Sequence, residues 1–468
     1  MTRLLAQGLG PEEFGAYSLT RRIVTTILPF STLAMGIGLA RYLGIAKNES
    51  SKRSAYLLGA VGIVLSFTLL TITIGLILSP WLSYLIFQHD GYESLFRALL
   101  FMIAGCSIYT ILYSYYRGIG KMKLANLWQL GVMACGFLLV SILFSHTGNA
   151  ALIITLFGIL YMITIFFVVF YSFNAYRKIQ HPKRIIKVTK ELFRYGWART
   201  PAGLTFGGLL SIGPLLAPHF GSLKDAGYLV VGQSLFRIVE SSVVAFGLVA
   251  LPKIARLYSE KKEGFIKERL IDLFTFLFQI GLFATLHLCL WSDLIVQAWL
   301  GNAYQQAAPL MRIIVLALIP YLAYVMLRSV IDAVEVKAVN SLNLFISLII
   351  GTGAALFLAI IGTGVTGLAI GTMAGFWILG VLTVKYLSRR YSISIQKSFL
   401  WNTLILNTIF IVTAFFMHQW IISYGRGLKQ LTLALLFEGV LVIIYIILLR
   451  SWKVRWIKEI ENRIFITK

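Results

Sequence analysis

The chain has 468 residues, of which 58% are hydrophobic and only 13% charged, with a mean hydropathy of +0.83. A soluble chain is usually about a quarter charged, so this composition excludes an ordinary water-soluble enzyme. The net charge of +24 raises the question of nucleic acid, which the placement of the charges answers below.

The apolar residues fall into thirteen runs of roughly 20 to 26 residues, each enough to cross a bilayer core about 30 Å thick as a helix that satisfies its own backbone. The first, at roughly 16–40, carries Arg21, Arg22 and Pro29, and the basic segment Arg41 to Arg53 follows it. The next four lie at roughly 55–79, 93–117, 123–145 and 149–174, with Arg97 in the third run and basic residues from Arg117 to Lys123 after it. A basic stretch at 175–194 leads into 195–219, which holds Arg199, Pro201, Pro214 and Pro218. Then comes 226–252 with Arg237 and Glu240, a basic segment from Lys253 to Arg269, and 270–291 with His287. The run 309–333 carries Arg312, Pro320 and Arg328, and 340–361 and 365–388 follow. The last two, 399–423 and 429–450, hold His418 and Glu438, and a basic tail ends the chain. Pro29, Pro201, Pro214 and Pro320 each remove a backbone hydrogen bond, which predicts kinks at those four positions.

Lys and Arg crowd into alternate breaks, while the breaks at 80–92 and 292–308 contain neither. This is the positive-inside pattern, which puts the 175–194 stretch and the tail after Arg450 in the cytoplasm; Arg426 and Lys429, in the final outer turn, are the exception. The charge therefore reads as a topology signal aided by attraction to anionic membrane lipids, and no nucleic-acid partner is expected. Cys106, Cys135 and Cys289 lie inside apolar runs without metal-ligand spacing, so no metal or other cofactor is implied. The stretch "GTGVTG", Gly362 to Gly367, fits GxGxxG, but it sits in a short turn between two spans with no strand before it, which argues against a nucleotide site.

Two short stretches repeat. "LGPEEFGAYSL", Leu9 to Leu19, and "FGSLKDAGYLV", Phe220 to Val230, align Gly10 with Gly221 and Tyr17 with Tyr228 at an offset of 211 residues, and Arg117 and Arg328 match at the same offset. The pattern predicts an all-α polytopic membrane protein with about thirteen transmembrane helices. They form two related six-helix lobes running in the same direction, a known transporter plan, plus two C-terminal helices. The run 195–219 maps to positions before Met1, so the first lobe is expected to lack its first helix. The expected divisions are an N-terminal lobe at 1–174, a cytoplasmic basic linker at 175–194, a C-terminal lobe at 195–388, and the extra helix pair with a cytoplasmic tail at 389–468.

"TRLLAQGLGPEEFGAYSL", Thr2 to Leu19, resembles the end of the first helix and the first outer loop of polysaccharide (O-antigen, Wzx-type) flippases of the multidrug/oligosaccharidyl-lipid/polysaccharide exporter superfamily. "YYRGIGKMKLANLWQ", Tyr115 to Gln129, is similar to the family's loop between the fourth and fifth helices. The resemblance implies two helical lobes around a central cavity. It also implies movement of undecaprenyl-diphosphate-linked oligosaccharide to the outer leaflet of the cytoplasmic membrane, with other polysaccharide assembly proteins as further partners. A drug or metabolite antiporter and a murein-precursor flippase of the same superfamily stay open as alternatives. A membrane polysaccharide polymerase is disfavoured, because no outer loop carries a His, Asp or Glu cluster, and no enzyme activity is expected.

Charges inside a span are costly and survive against a partner or water. Arg237 and Glu240 lie near the middle of their span, three residues apart and so on one helix face. Guanidinium groups bind phosphate oxygens bidentately, so Arg237, Arg21, Arg22 and Arg199 are the candidate ligands for a lipid diphosphate. Snorkelling to head groups is the competing reading for the three arginines nearer span ends. Glu240 and Glu438 are candidates for ion coupling, with Glu240 alternatively neutralising Arg237, and His287 and His418 read as hydrogen-bonded packing residues.

Overall fold

The computed structural model describes residues 1–451 apart from 47–48, 180–182, 261, 336–337 and 425–427, and, within helices, all but the side chains of 241–257, 259, 333, 424 and 428. The basic tail beyond Ser451, including Lys458, and Arg426 lie outside that description.

Among the described residues every regular element is helical. In chain order they are α1 (Thr2–Ser31), α2 (Met35–Ile45), α3 (Ser50–Ile77), α4 (Ser79–Phe87), α5 (Glu93–Gly118), α6 (Met122–Gln129), α7 (Phe137–Phe144), α8 (Ala150–Met162), α9 (Ile165–Tyr176) and α10 (Lys183–Phe220). Then follow α11 (Leu223–Ser259), α12 (Glu263–Leu290), α13 (Ser292–Leu300), α14 (Ala307–Val315), α15 (Leu318–Val334), α16 (Val339–Leu358), α17 (Gly364–Arg390), α18 (Lys397–Tyr424) and α19 (Leu428–Ser451). A π-helical segment, Leu130–Gly136, joins α6 to α7.

By length and apolarity, nine helices among the described residues can cross a membrane, or up to eleven if two bent pairs each count as one span. That count does not reach the expected thirteen, and the difference lies in two places. The stretch Val339–Arg390 counts once, although Gly362 breaks it with φ 102°, where the sequence put an outer turn. The helix α11 is not in the count.

The bent pairs coincide with two of the four prolines. α1 and α2 meet at 43° just after Pro29, and α14 and α15 meet at 50° just before Pro320. Pro201 and Pro214, by contrast, lie within α10, which continues through them as one element.

The basic stretch 175–194 is mostly helix rather than loop, because α10 already begins at Lys183. No Gly or Pro interrupts the sequence between Lys183 and Tyr195, so nothing stops the helix once it starts. At 1.5 Å per residue a helix of 38 residues is about 57 Å long, well beyond the bilayer core. Its basic first turns thus extend past the apolar layer. They are anchored to α3: Val188 and Leu192 are buried, and Tyr56 donates to Glu191 Oε2 at 2.8 Å.

Contacts divide the chain into two units, one of residues 1–230 with 359–368 and one of 231–358 with 369–468. The first differs from the division expected from sequence by including all of α10, which packs on α1 and α3.

The repeated turns open helices by different local means. Gly10 has φ 75° and breaks α1 internally; Pro11, whose missing N–H costs nothing at a helix start, reopens it. The second turn breaks at Gly221 and Ser222, where Asp225 Oδ2 accepts from Ser222 N at 2.8 Å and from Ser222 Oγ at 2.6 Å. This closes the start of α11 in the manner of a capping box.

Candidate functional site

The six residues singled out by charge do not form one cluster. In the first unit, Tyr17 and Arg21 are one helical turn apart on α1. Arg21 Nη1 donates to Tyr17 Oη at 3.0 Å and its guanidinium lies 5.7 Å from that ring's centroid. Tyr17 is buried and meets Phe157 of α8 edge-on at 6.3 Å, so Arg21 is turned toward the helices of its own unit. Arg22 is also buried, at 5% exposure. Burial of a cation is tolerated only where polar groups replace its water, and neither side chain lies openly on the surface.

Arg199 is exposed. Its guanidinium lies 4.4 Å from the centroid of Tyr195, one turn earlier on α10, and the guanidinium of Arg41, in the second half of α2, lies 5.1 Å from the same ring. Tyr42 packs edge-on against Tyr195 at 5.6 Å and holds the ring in place. Each cation gains from the ring's negative face, and two like charges are brought to one aromatic platform, where an anion would relieve their repulsion. Sequence reading assigned Arg41 only to the basic segment after the first span. The Tyr195–Arg199 spacing was visible there, but the approach of α2 to α10 was not.

In the second unit, Arg237 is exposed on α11 and Glu240 is half-buried. Tyr321 of α15 donates to Glu240 Oε2 at 2.5 Å. Tyr321 is itself fixed between Phe236, stacked at 4.7 Å, and Phe376, edge-on at 5.3 Å. Arg237 and Arg328 are both within electrostatic reach of the Tyr321 hydroxyl, so the middle of α11 and the facing part of α15 combine two cations, one carboxylate and one phenol. Glu438 sits elsewhere, on α19, bonded to His287 and Trp291. His287 is therefore hydrogen-bonded as expected. His418 has no hydrogen-bond partner on either ring nitrogen among the described residues.

This helical architecture is shared with solved transporters. An inward-facing multidrug resistance MATE family transporter of the MOP superfamily matches with a TM-score of 0.70 at 15% identity, over 84% of this chain and 93% of that one. The lipid II flippase MurJ in an inward closed conformation matches with a TM-score of 0.70 at 14% identity, over 96% and 97%. A MOP superfamily transporter from Pyrococcus furiosus matches with a TM-score of 0.52 at 16% identity, over 84% and 90%. Among curated proteins there is no match. The fold and the apolar helices together define a multi-pass membrane protein with the MOP-superfamily transporter fold. More particularly, the chain belongs to the family described as polysaccharide biosynthesis protein, whose model matches residues 2–258.

Proposed function

We propose that this protein flips undecaprenyl-diphosphate-linked oligosaccharide from the cytoplasmic to the outer leaflet of the cytoplasmic membrane by alternating access, for cell-surface polysaccharide synthesis. The observation that carries the reading is the pair of guanidiniums, Arg41 and Arg199, on the one ring of Tyr195. A diphosphate is a lipid-borne group whose negative charge such a pair of guanidiniums satisfies. Family membership supports a polysaccharide substrate, and a neighbour of the same fold that flips lipid II supports a lipid-linked one. Arg237, exposed near the middle of α11, is a further ligand for the diphosphate. Arg21 and Arg22, more enclosed, contribute positive potential to the first unit. The 175–194 stretch and the C-terminus lie on the cytoplasmic side.

The test is surface polysaccharide in a flippase-deleted host carrying this chain, with membrane protein level measured alongside. At normal protein level, Arg41→Ala with Arg199→Ala is expected to abolish the polymer. Arg237→Ala is expected to cut it severely and Arg237→Lys partly, because Lys keeps the charge and loses the fork. Full activity of the Arg41→Ala, Arg199→Ala double variant would overturn the assignment.

A further inference from the structure

We propose that His287, with Glu438 as its counter-charge, is a proton-binding site at the place where α18 and α19 dock onto α12. The proposal concerns proton binding alone and does not depend on the identity of the transported substrate.

The docking surface is apolar above and below the site. On one side Phe283 of α12 packs with Phe410 of α18 and with Leu441 and Tyr445 of α19. On the other, Trp291 packs with Ile421 and Ala434. Between these two clusters lies the polar group. His287 Nδ1 is 3.0 Å and 2.8 Å from the two carboxylate oxygens of Glu438, and Trp291 Nε1 is 2.5 Å from Oε1. The His287 and Glu438 side chains are only 7% and 20% exposed. Phe283 lies flat on the His287 ring with centroids 4.0 Å apart. His418 meets Trp291 edge-on at 4.8 Å.

The donor inventory fixes where a proton can go. An indole N–H only donates, so Glu438 accepts from Trp291. Both carboxylate oxygens face Nδ1, so that nitrogen carries the hydrogen and donates. The neutral imidazole then holds its lone pair on Nε2, which is buried and has no hydrogen-bond partner among the described residues. In that form the group carries a net charge of minus one inside an apolar helix junction, the arrangement such surroundings oppose most strongly. Uptake of one proton on the Nε2 lone pair makes an imidazolium beside the carboxylate and brings the net charge to zero, with no other bond made or broken.

The remaining titratable groups around the site do not supply that neutralisation. Asp293, after α12, forms an ion pair with Arg312 of α14. Cys289 donates to the Arg312 carbonyl oxygen at 3.4 Å. Tyr445 of α19 donates to the Gln279 carbonyl oxygen and accepts from Asn407, both at 3.1 Å. His418, on α18, touches the site only through the ring of Trp291. Both Glu438 oxygens are already taken up as acceptors by His287 Nδ1 and Trp291 Nε1, so the position left for an added proton is Nε2 of His287.

The experiment is solid-state NMR of the full chain, labelled with nitrogen-15 in its histidines and reconstituted in phosphatidylethanolamine and phosphatidylglycerol vesicles. It is read between about pH 5 and about pH 8, where an imidazole can change charge. His287→Gln assigns the His287 ring signals, and if that variant does not fold, substitutions of the other histidines assign them by elimination. The expected result is that Nε2 of His287 titrates within this range and Nδ1 stays protonated throughout. In Glu438→Gln, which keeps an oxygen for Trp291 and removes the charge, the uptake of the proton on Nε2 should be lost from this range. A His287 ring that stays neutral across the range, or a midpoint unchanged in Glu438→Gln, would overturn the proposal.

Discussion

Gly227 of α11 rests on Gly15 of α1: a Cβ placed on Gly227 would lie 2.9 Å from the Gly15 Cα, and one placed on Gly15 would run into the Leu223 carbonyl oxygen. The two repeated turns, "FGAY" and "DAGY", are therefore packed against each other within the first unit. Small residues let helix backbones approach this closely in a membrane. Gly15→Val is expected to lower stability by about 1–3 kcal/mol, the usual cost of overpacking. The readout is loss of the monodisperse peak on heating in detergent. Gly62→Ala, where nothing lies within 4 Å, should leave that midpoint unchanged or raise it.

The bond from Tyr56 to Glu191, at 2.8 Å, ties the basic first turns of α10 to α3. Tyr56→Phe should cost about 0.5–1.5 kcal/mol, seen as faster protease cleavage near Lys187. Glu191→Gln, which still accepts the hydrogen bond, should cost less. Equal cleavage rates in all three proteins would show that this bond does not hold the segment.

Tyr321 is fully buried and its hydroxyl reaches Glu240. Tyr321→Phe leaves the ring packing with Phe236 and Phe376 in place but strips a donor from a half-buried carboxylate. We expect a loss of about 1–3 kcal/mol, measured as a lowered melting midpoint, together with reduced surface polysaccharide. A variant as stable as the parent would mean that water replaces the phenol at Glu240.

Topology follows from charge placement. A reporter inserted at Lys187 should report the cytoplasmic side, and so should one at Lys458, in the tail. Outside signals from both would reverse the orientation proposed for every helix, and an outside signal from one alone would contradict the even number of spans expected between them.

The sequence by itself determined the class of protein: apolar runs of bilayer length cannot be hidden, because lipid leaves the backbone no partner but its own helix. It also marked Gly10 and Gly221 as turn positions, and the structure breaks its helices at those two residues. Pro29 and Pro320 marked the two bent pairs. Local chemistry could not foresee that α10 would run from Lys183 through Pro201 and Pro214. The charge density that made 175–194 read as a loop says which side of the membrane a segment occupies and nothing about whether it is helical. Tertiary structure alone decided which charges meet. Arg41 and Arg199 are 158 positions apart and share one ring, while Glu438 meets His287 across 151 positions and Tyr321 meets Glu240 across 81. A helix fixes neighbours three and four residues away, but the partner of a buried charge is set by which helices pack together, and no period within one span encodes that.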